Sequence, residues 1–327
     1  VREKSREVFV KVSASVTAVL ATFAMLAGAA QPQQAGPLRI VVHRAAGDGA
    51  EAIGATIASA LREGRTTEVA VEIREDGAAK VAVSAPDGLT LLIASVPTLA
   101  SDAIGATRNG SYDLKKDLVA VALIGAVPWV LLVSPEMQVK SLSELVTKAK
   151  EQPGSLTYAS TSEVTGAHLV TEIFLQTVGL DLKRVGYRNT RQAIADVESA
   201  KVSMMFTLPF DAMNHIRTAR VRPLVVTTGR RVALLPDAPG AIEAGLPGFE
   251  ADSAIMLLAP AATPPEVIAR INGTVQALLK RGDFRERLLR QGAYAIMSTP
   301  QSAQKRLDDD LSKWANVIDR ARKPSAD

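Results

Sequence analysis

Three histidines, His43, His168 and His215, lie far apart and show no H-x-x-x-H spacing, so they form no zinc motif. The chain has no G-x-S-x-G elbow and no triad that would run acyl transfer. Gly47-Asp48-Gly49 stops short of a dinucleotide fingerprint because Ala52 stands at the third glycine position. No cofactor, no metal and no enzyme activity are therefore expected. What the sequence does offer is capture without chemistry. In His43-Arg44-Ala45-Ala46-Gly47-Asp48-Gly49-Ala50-Glu51, two glycines fit a tight turn into a helix starting near Glu51. Ser160-Thr161-Ser162-Glu163-Val164-Thr165-Gly166-Ala167-His168 places hydroxyls before a helix running to Gly179. Helix starts and glycine turns carry unpaired N–H groups, and these hold a carboxylate.

Such loops need strands behind them. Short β-rich runs occur at 38–42, 68–73, 89–95, 119–134, 155–160, 182–187, 202–207, 223–228 and 255–259. Segments with helical spacing lie between them. Ser141-x-x-Glu144 and Thr263-Pro264-Pro265-Glu266 read as capping boxes, and Thr299-Pro300 opens the last long helix. The alternation predicts an α/β fold with mostly parallel pairing, whose loops after the strands open on a ligand crevice. Two long extended runs, 125–135 and 249–258, read as domain crossings. They divide the chain into lobe 1, 37–136 plus 253–327, and an inserted lobe 2, 137–252. The expected architecture is two α/β domains joined by a two-strand hinge.

The first thirty residues read as a signal peptide. Arg2, Lys4, Arg6 and Lys11 are followed by an uncharged stretch, and Ala27-Gly28-Ala29 fits a cleavage site, with Ala30 a second end. A retained anchor is the other reading. The stretch approaches the roughly 20 residues of a spanning helix, but Ser13, Ser15, Thr17 and Thr22 dilute it. The expected location is the periplasm. The 327 residues contain no cysteine, so no disulfide is available. A net charge of +4 and 4% aromatic residues argue against nucleic acid as a partner.

Several stretches, in order and spacing, resemble the receptor family of tripartite tricarboxylate transporters, the Bug family. Ala85-Pro86-Asp87-Gly88-Leu89-Thr90-Leu91-Leu92 is similar to A-P-D-G-Y-T-L-L. Tyr112-Asp113 with Asp117 resembles Y-D-P-x-x-D, and Leu156-Thr157-Tyr158-Ala159-Ser160 resembles L-N-Y-A-S. Leu234-Leu235-Pro236-Asp237-Ala238-Pro239 and Glu243-Ala244-Gly245-Leu246-Pro247-Gly248-Phe249-Glu250 resemble L-L-P-D-V-P and E-A-G-L-P-G-Y-E. The resemblance runs from Pro37 to about Ile318. It implies the two-lobed, type II-like periplasmic binding protein fold, and a monomeric receptor that closes its lobes on a small organic acid and passes it to membrane transporter subunits. A divergent receptor that works with a sensor protein, or has a lost or changed ligand specificity, is the alternative.

The resemblance also names a site. The loop from His43 to Glu51 corresponds to P-F-P-A-G-G-G-T-D, which contacts the ligand. Arg44, Gly47, Asp48, Gly49 and Glu51 are thereby candidates. Asp48 replaces a glycine. A bare carboxylate about 4 Å from a ligand carboxylate costs roughly 4 kcal/mol at an effective dielectric near 20, about a thousandfold in affinity. Asp48 caps the helix and points away, or Arg44 neutralises it, or the ligand is not a simple anion. The second loop, Glu72 to Lys80, keeps only Gly77 of N-R-P-G-A-G-G-N. Its Lys80 supplies a charge or is a solvated surface residue. Ser95 and Thr98 retain two hydroxyls of T-S-G-T, as ligand contacts or as strand-end caps. Ser160, Thr165, Gly166 and His168 match S-A-G-N-G-T-S-S-H, with Gly166 at a serine position. His168 is either a contact or an internal hydrogen-bonding residue. Arg188, in Tyr187-Arg188-Asn189-Thr190-Arg191, replaces the lysine of Y-K-G-S. Arg188 or Arg191 supplies a ligand-pairing cation, or each lies on the surface. Thr207 stands where the family has an aspartate.

Overall fold

The computed structural model describes residues 36–43, 49–63, 68–109, 111–161 and 165–321. The expected signal peptide and the candidates Arg44, Gly47 and Asp48 fall outside them, as does Glu163. Two sheets organise the rest. The first has the order β11-β4-β10-β3-β1-β2 and the second β7-β6-β8-β5-β9. Strands β1 (Leu38–His43), β2 (Val69–Arg74), β3 (Thr90–Ser95) and β4 (Leu118–Pro128) build one lobe, completed by β10 (Asp252–Pro260) and β11 (Tyr294–Ala295). Strands β5 (Val130–Val133), β6 (Thr157–Ser160), β7 (Lys183–Gly186), β8 (Met204–Thr207) and β9 (Arg222–Val226) build the other.

Helices fill the connections. They are α1 (Ala50–Glu63), α2 (Gly77–Ala82), α3 (Val96–Asn109), α4 (Leu114–Asp117), α5 (Leu142–Glu151) and α6 (Gly166–Val178). They continue with α7 (Thr190–Glu198), α8 (Pro209–Arg217), α9 (Pro265–Lys280), α10 (Gly282–Arg290) and α11 (Pro300–Ala321). Strand β1, Leu-Arg-Ile-Val-Val-His, is buried along all but one residue, as a strand covered on both faces must be.

The strand runs predicted from sequence coincide with these elements, except that β11 was not foreseen and the run at 119–134 divides into β4 and β5. Pairing differs more. Only β1–β2, β1–β3, β6–β7 and β6–β8 are parallel, while β10–β3, β10–β4, β11–β4, β5–β8 and β5–β9 are antiparallel. The expectation of mostly parallel pairing is corrected accordingly. The cause is the passage between lobes. The chain leaves the first sheet along β4, enters the second along β5, and returns along β10. Each of these strands runs against a neighbour.

Local signals worked unevenly. Ser141 caps α5, its hydroxyl accepting from the Glu144 N–H at 3.2 Å, and the Glu144 carboxylate accepts from the Lys140 N–H at 2.7 Å. The second capping box does not form. Pro264 takes the cap position of α9 without a side-chain hydrogen bond, and the Thr263 hydroxyl is buried without a partner. With Pro264 and Pro265 in succession, the helix starts one residue later than Thr263 could cap. Thr299 does cap α11, accepting from the Ser302 N–H at 3.1 Å.

The core runs continuously from one lobe to the other. Phe174 on α6, Phe206 on β8 and Phe249 form a triangle of ring contacts with centroids 5.5 to 6.3 Å apart. Helix α11 packs on β4 and α3 in its own lobe and on α6 in the other. An ion network fixes the start of β10. Asp252 accepts from Tyr294 Oη at 2.7 Å and from Arg306 at 2.5 Å, and Arg306 also reaches Asp310 at 2.7 Å. None of the described helices is long and apolar enough to cross a membrane.

Gly88 explains why one motif is scaffold. Its φ is +78°, and a Cβ there would lie 2.5 Å from Val267 Cγ1 on α9. Gly88→Ala should lower stability by about 2 kcal/mol through the left-handed backbone and the overlap. Urea unfolding should show the lower midpoint.

Candidate functional site

His43, Ser95, Ser160 and Thr207 end β1, β3, β6 and β8, the strand ends beside which open α/β sheets place ligands. Glycines report how closely the two lobes approach there. Gly49, at φ +76°, opens α1, and its carbonyl accepts from the Ile53 N–H at 3.2 Å. A Cβ on Gly49 would sit 3.2 Å from Leu208 Cδ1 and 3.5 Å from Phe210, both at the start of α8. Gly166 opens α6. A Cβ there would lie 2.6 Å from Trp129 Cζ2 and 3.5 Å from Pro97 on α3. Gly49 therefore meets the β8–α8 turn, and the Ser95–Thr98 turn meets the start of α6.

On the first lobe, His43 ends β1. It is buried, and its Nδ1 accepts from the Ala78 N–H at 3.4 Å. Burial lowers its proton affinity, against the opposing pull of Asp102, Asp76 and Glu75. Gly77 allows this contact, since a Cβ there would be 3.1 Å from His43 Cα. Glu51 is exposed in the first turn of α1. Lys80 is paired with Glu72 at 2.6 Å, and Arg74 with Asp76 at 2.7 Å, so the second loop spends its charges internally. Ser95 and Thr98 are buried and bonded hydroxyl to hydroxyl at 2.9 Å.

On the second lobe, Ser160 is buried at the end of β6 and accepts from Arg184 Nη1 at 3.3 Å. Thr165 occupies the extended cap position of α6. His168 is 6% exposed and stacks on Tyr158. The Tyr158 hydroxyl donates to Glu172 at 2.6 Å, so at 3.1 Å it takes a hydrogen bond from His168 Nδ1–H. These bonds favour the internal reading of His168. Arg188 and Arg191 are exposed, without an ion pair among the described residues. Asn189 between them caps α7, accepting from the Gln192 N–H at 2.9 Å. Thr207 is buried on β8 opposite Val130.

Three residues here escaped the sequence reading. Arg184 pairs in register with Tyr158, which puts it on the face of Ser160; only the strand register reveals that. Trp129 lies between β4 and β5, 2% exposed, with its indole N–H buried and without an acceptor among the described residues. Asp211 lies in the first turn of α8, four residues past Thr207. Its Oδ2 is sealed without a donor, and burial pushes its carboxyl up to about 6. Among the described residues, no group of His, Cys, Asp and Glu could hold a metal ion.

Comparison with known proteins decides the family. The model of the tripartite tricarboxylate transporter family receptor matches residues 70–322. The chain belongs to this receptor family. It is 27% identical over 311 residues to the protein BugT of Bordetella pertussis, covering 92% of this chain and 95% of that one. Among solved structures, Rpa4515 of R. palustris with adipate is 27% identical at a TM-score of 0.74, covering 88% and 98% of the two chains. MatC of Rhodopseudomonas palustris with bound malate is 26% identical at 0.68, covering 87% and 99%. The periplasmic binding protein BugD, 24% identical with a TM-score of 0.72 over 89% and 98%, shares the two-lobed fold.

Asp211 gives this receptor a pH signature. The folded state holds its proton up to about pH 6, whereas the unfolded chain releases it near 3.8. Between those values the folded state binds more protons, so stability falls as pH rises and stays lower above pH 6. The penalty at neutral pH is roughly 2 to 3 kcal/mol. Asp211→Asn should recover roughly 2 kcal/mol at pH 7.5 and much less at pH 4.5. Urea unfolding of both proteins at the two pH values measures this.

Proposed function

We propose that this receptor captures a small organic acid between its lobes in the periplasm and presents it to membrane transporter subunits. The observation that carries the reading is the meeting of two hydroxyl-bearing turns from different lobes. Ser95 and Thr98 sit on one side, Ser160 and Thr165 on the other, with Gly166 in contact range of Pro97 and Trp129. Hydroxyls and a helix start are suited to a carboxylate, and they offer no nucleophile–base pair for catalysis. The relatives with adipate and malate support the ligand class.

In this reading, lobe 1 is 37–128 plus 252–327 and lobe 2 is 130–251; the expected boundary at 136/137 moves to Trp129 because β5 pairs with β8 and β9 in the second sheet, and hinge closure at the two crossings traps the ligand. Gly49, Ser95, Thr98, Ser160, Thr165, Gly166 and Thr207 line the closed site. Glu51 and Arg188 stand at its rim, and Arg188 pairs with a ligand carboxylate. Residues 1–30 direct export, and the receptor acts as a monomer. A sensor protein as partner, with a changed ligand, is the second reading. It is favoured by the internally paired second loop, where Lys80 and Arg74 are already taken.

A thermal-shift screen with malate, adipate, other organic acids and amino acids tests the proposal. A ligand at a hundredfold excess over its Kd stabilises by about 2.7 kcal/mol. Stabilisation by at least one carboxylate is expected, and Arg188→Ala should weaken it about tenfold or more with the fold intact. No response to any carboxylate would sink the capture of organic acids.

A further inference from the structure

We infer that the Trp129 indole N–H is a ligand donor, giving a hydrogen bond to a carboxylate oxygen at the start of α6. This rests on the carboxylate reading above and adds a residue to it.

A buried N–H without an acceptor is rare in a folded protein and calls for a partner. Trp129 is 2% exposed, and its Nε1 has none. The direction of the ring can be read from its neighbours. Cζ2 and Cη2 lie 2.6 and 3.0 Å from where a Gly166 Cβ would be. In indole, Cζ2 and Nε1 are bonded to the same carbon, so the N–H lies on the edge turned to Gly166. The same spot receives Pro97 from α3, next to Thr98. It also receives the N-terminal end of α6, a 13-residue helix whose dipole favours an anion there. A neutral donor and a helix start thus converge between the two hydroxyl-bearing turns. The glycine at 166 is what leaves room for the indole edge, because any side chain would displace it.

The position of Trp129 gives this donor a second consequence. Its backbone N–H donates to Thr227 Oγ1 at 2.9 Å, and its carbonyl accepts from the Thr227 N–H at 2.9 Å. The Thr227 hydroxyl in turn donates to the Ala251 carbonyl. The residue that reads the ligand is therefore pinned to both chain crossings. Occupancy of the site acts on the crossing itself, without an intervening element.

Trp129 and Trp314 are the two tryptophans of the chain, so its ¹⁵N-labelled form gives two indole cross-peaks. Trp129→Phe keeps an aromatic side chain, removes the donor and identifies the Trp129 peak by its loss. Malate and adipate are titrated into the full chain and followed by these peaks and by calorimetry. The Trp129 indole proton should move downfield on binding while the Trp314 peak stays in place. Trp129→Phe should bind about tenfold more weakly or worse, compared at a temperature well below the lowered melting point that the lost buried indole volume brings. A Trp129 peak that does not move at saturation, or equal affinity in Trp129→Phe, overturns the assignment and leaves the carboxylate reading standing. Should neither these two acids nor any other organic acid of the thermal-shift screen bind the unaltered protein, the carboxylate reading fails and the assignment falls with it. If Trp129→Phe does not fold, the titration of the unaltered protein still decides, with Trp314→Phe identifying the peaks.

Discussion

Two chain crossings must lie side by side for this fold to have two lobes and a cleft, and Thr227 holds them there. Its backbone bonds to Trp129 at the first crossing and to Ala251 at the second. Its buried hydroxyl serves both, accepting from Trp129 and donating to Ala251. One residue further on, Asp252 is held by Tyr294 and Arg306. The rest follows geometrically. With the crossings fixed, the carboxyl ends of β1, β3, β6 and β8 are obliged to face one another. The loops after them need only glycines at the closest approaches, Gly49 and Gly166.

The crossings also set where the fold is rigid. The aromatic triangle of Phe174, Phe206 and Phe249, together with α11 packed on α6, makes the back of the molecule a single core. The cleft side has turns and helix starts instead. In the proposed closure, motion is confined to the side that lacks a shared core, and the ligand supplies the contacts that bridge it. A site built largely from hydroxyls and N–H groups suits that role, because neutral donors leave a smaller desolvation penalty than ion pairs when the cleft is empty.

Much of the scaffold was legible because it depends on local rules. Continuous apolar runs marked the buried strands, and Ser141 and Thr299 marked helix starts. Failures came where distant segments decide. Antiparallel pairing of β4, β5 and β10 follows from the route between lobes, which no window of sequence contains. The Thr263 cap failed because two successive prolines moved the helix start. Ser95, Thr98, Ser160, Thr165 and Gly166 were named from the family resemblance, and the turn holding Ser95 and Thr98 approaches the start of α6 where Pro97 meets Gly166. Arg184 was invisible because its face depends on the β6–β7 register. Trp129 and Asp211 were invisible because what distinguishes them is a missing partner, and a sequence does not record absences in three dimensions.

Closure on a carboxylate is the central claim, and small-angle X-ray scattering of the full chain tests it most directly. The radius of gyration should fall when malate, adipate or whichever organic acid binds in calorimetry reaches saturation. A radius of gyration that stays the same with the acid demonstrably bound would contradict closure of the two lobes.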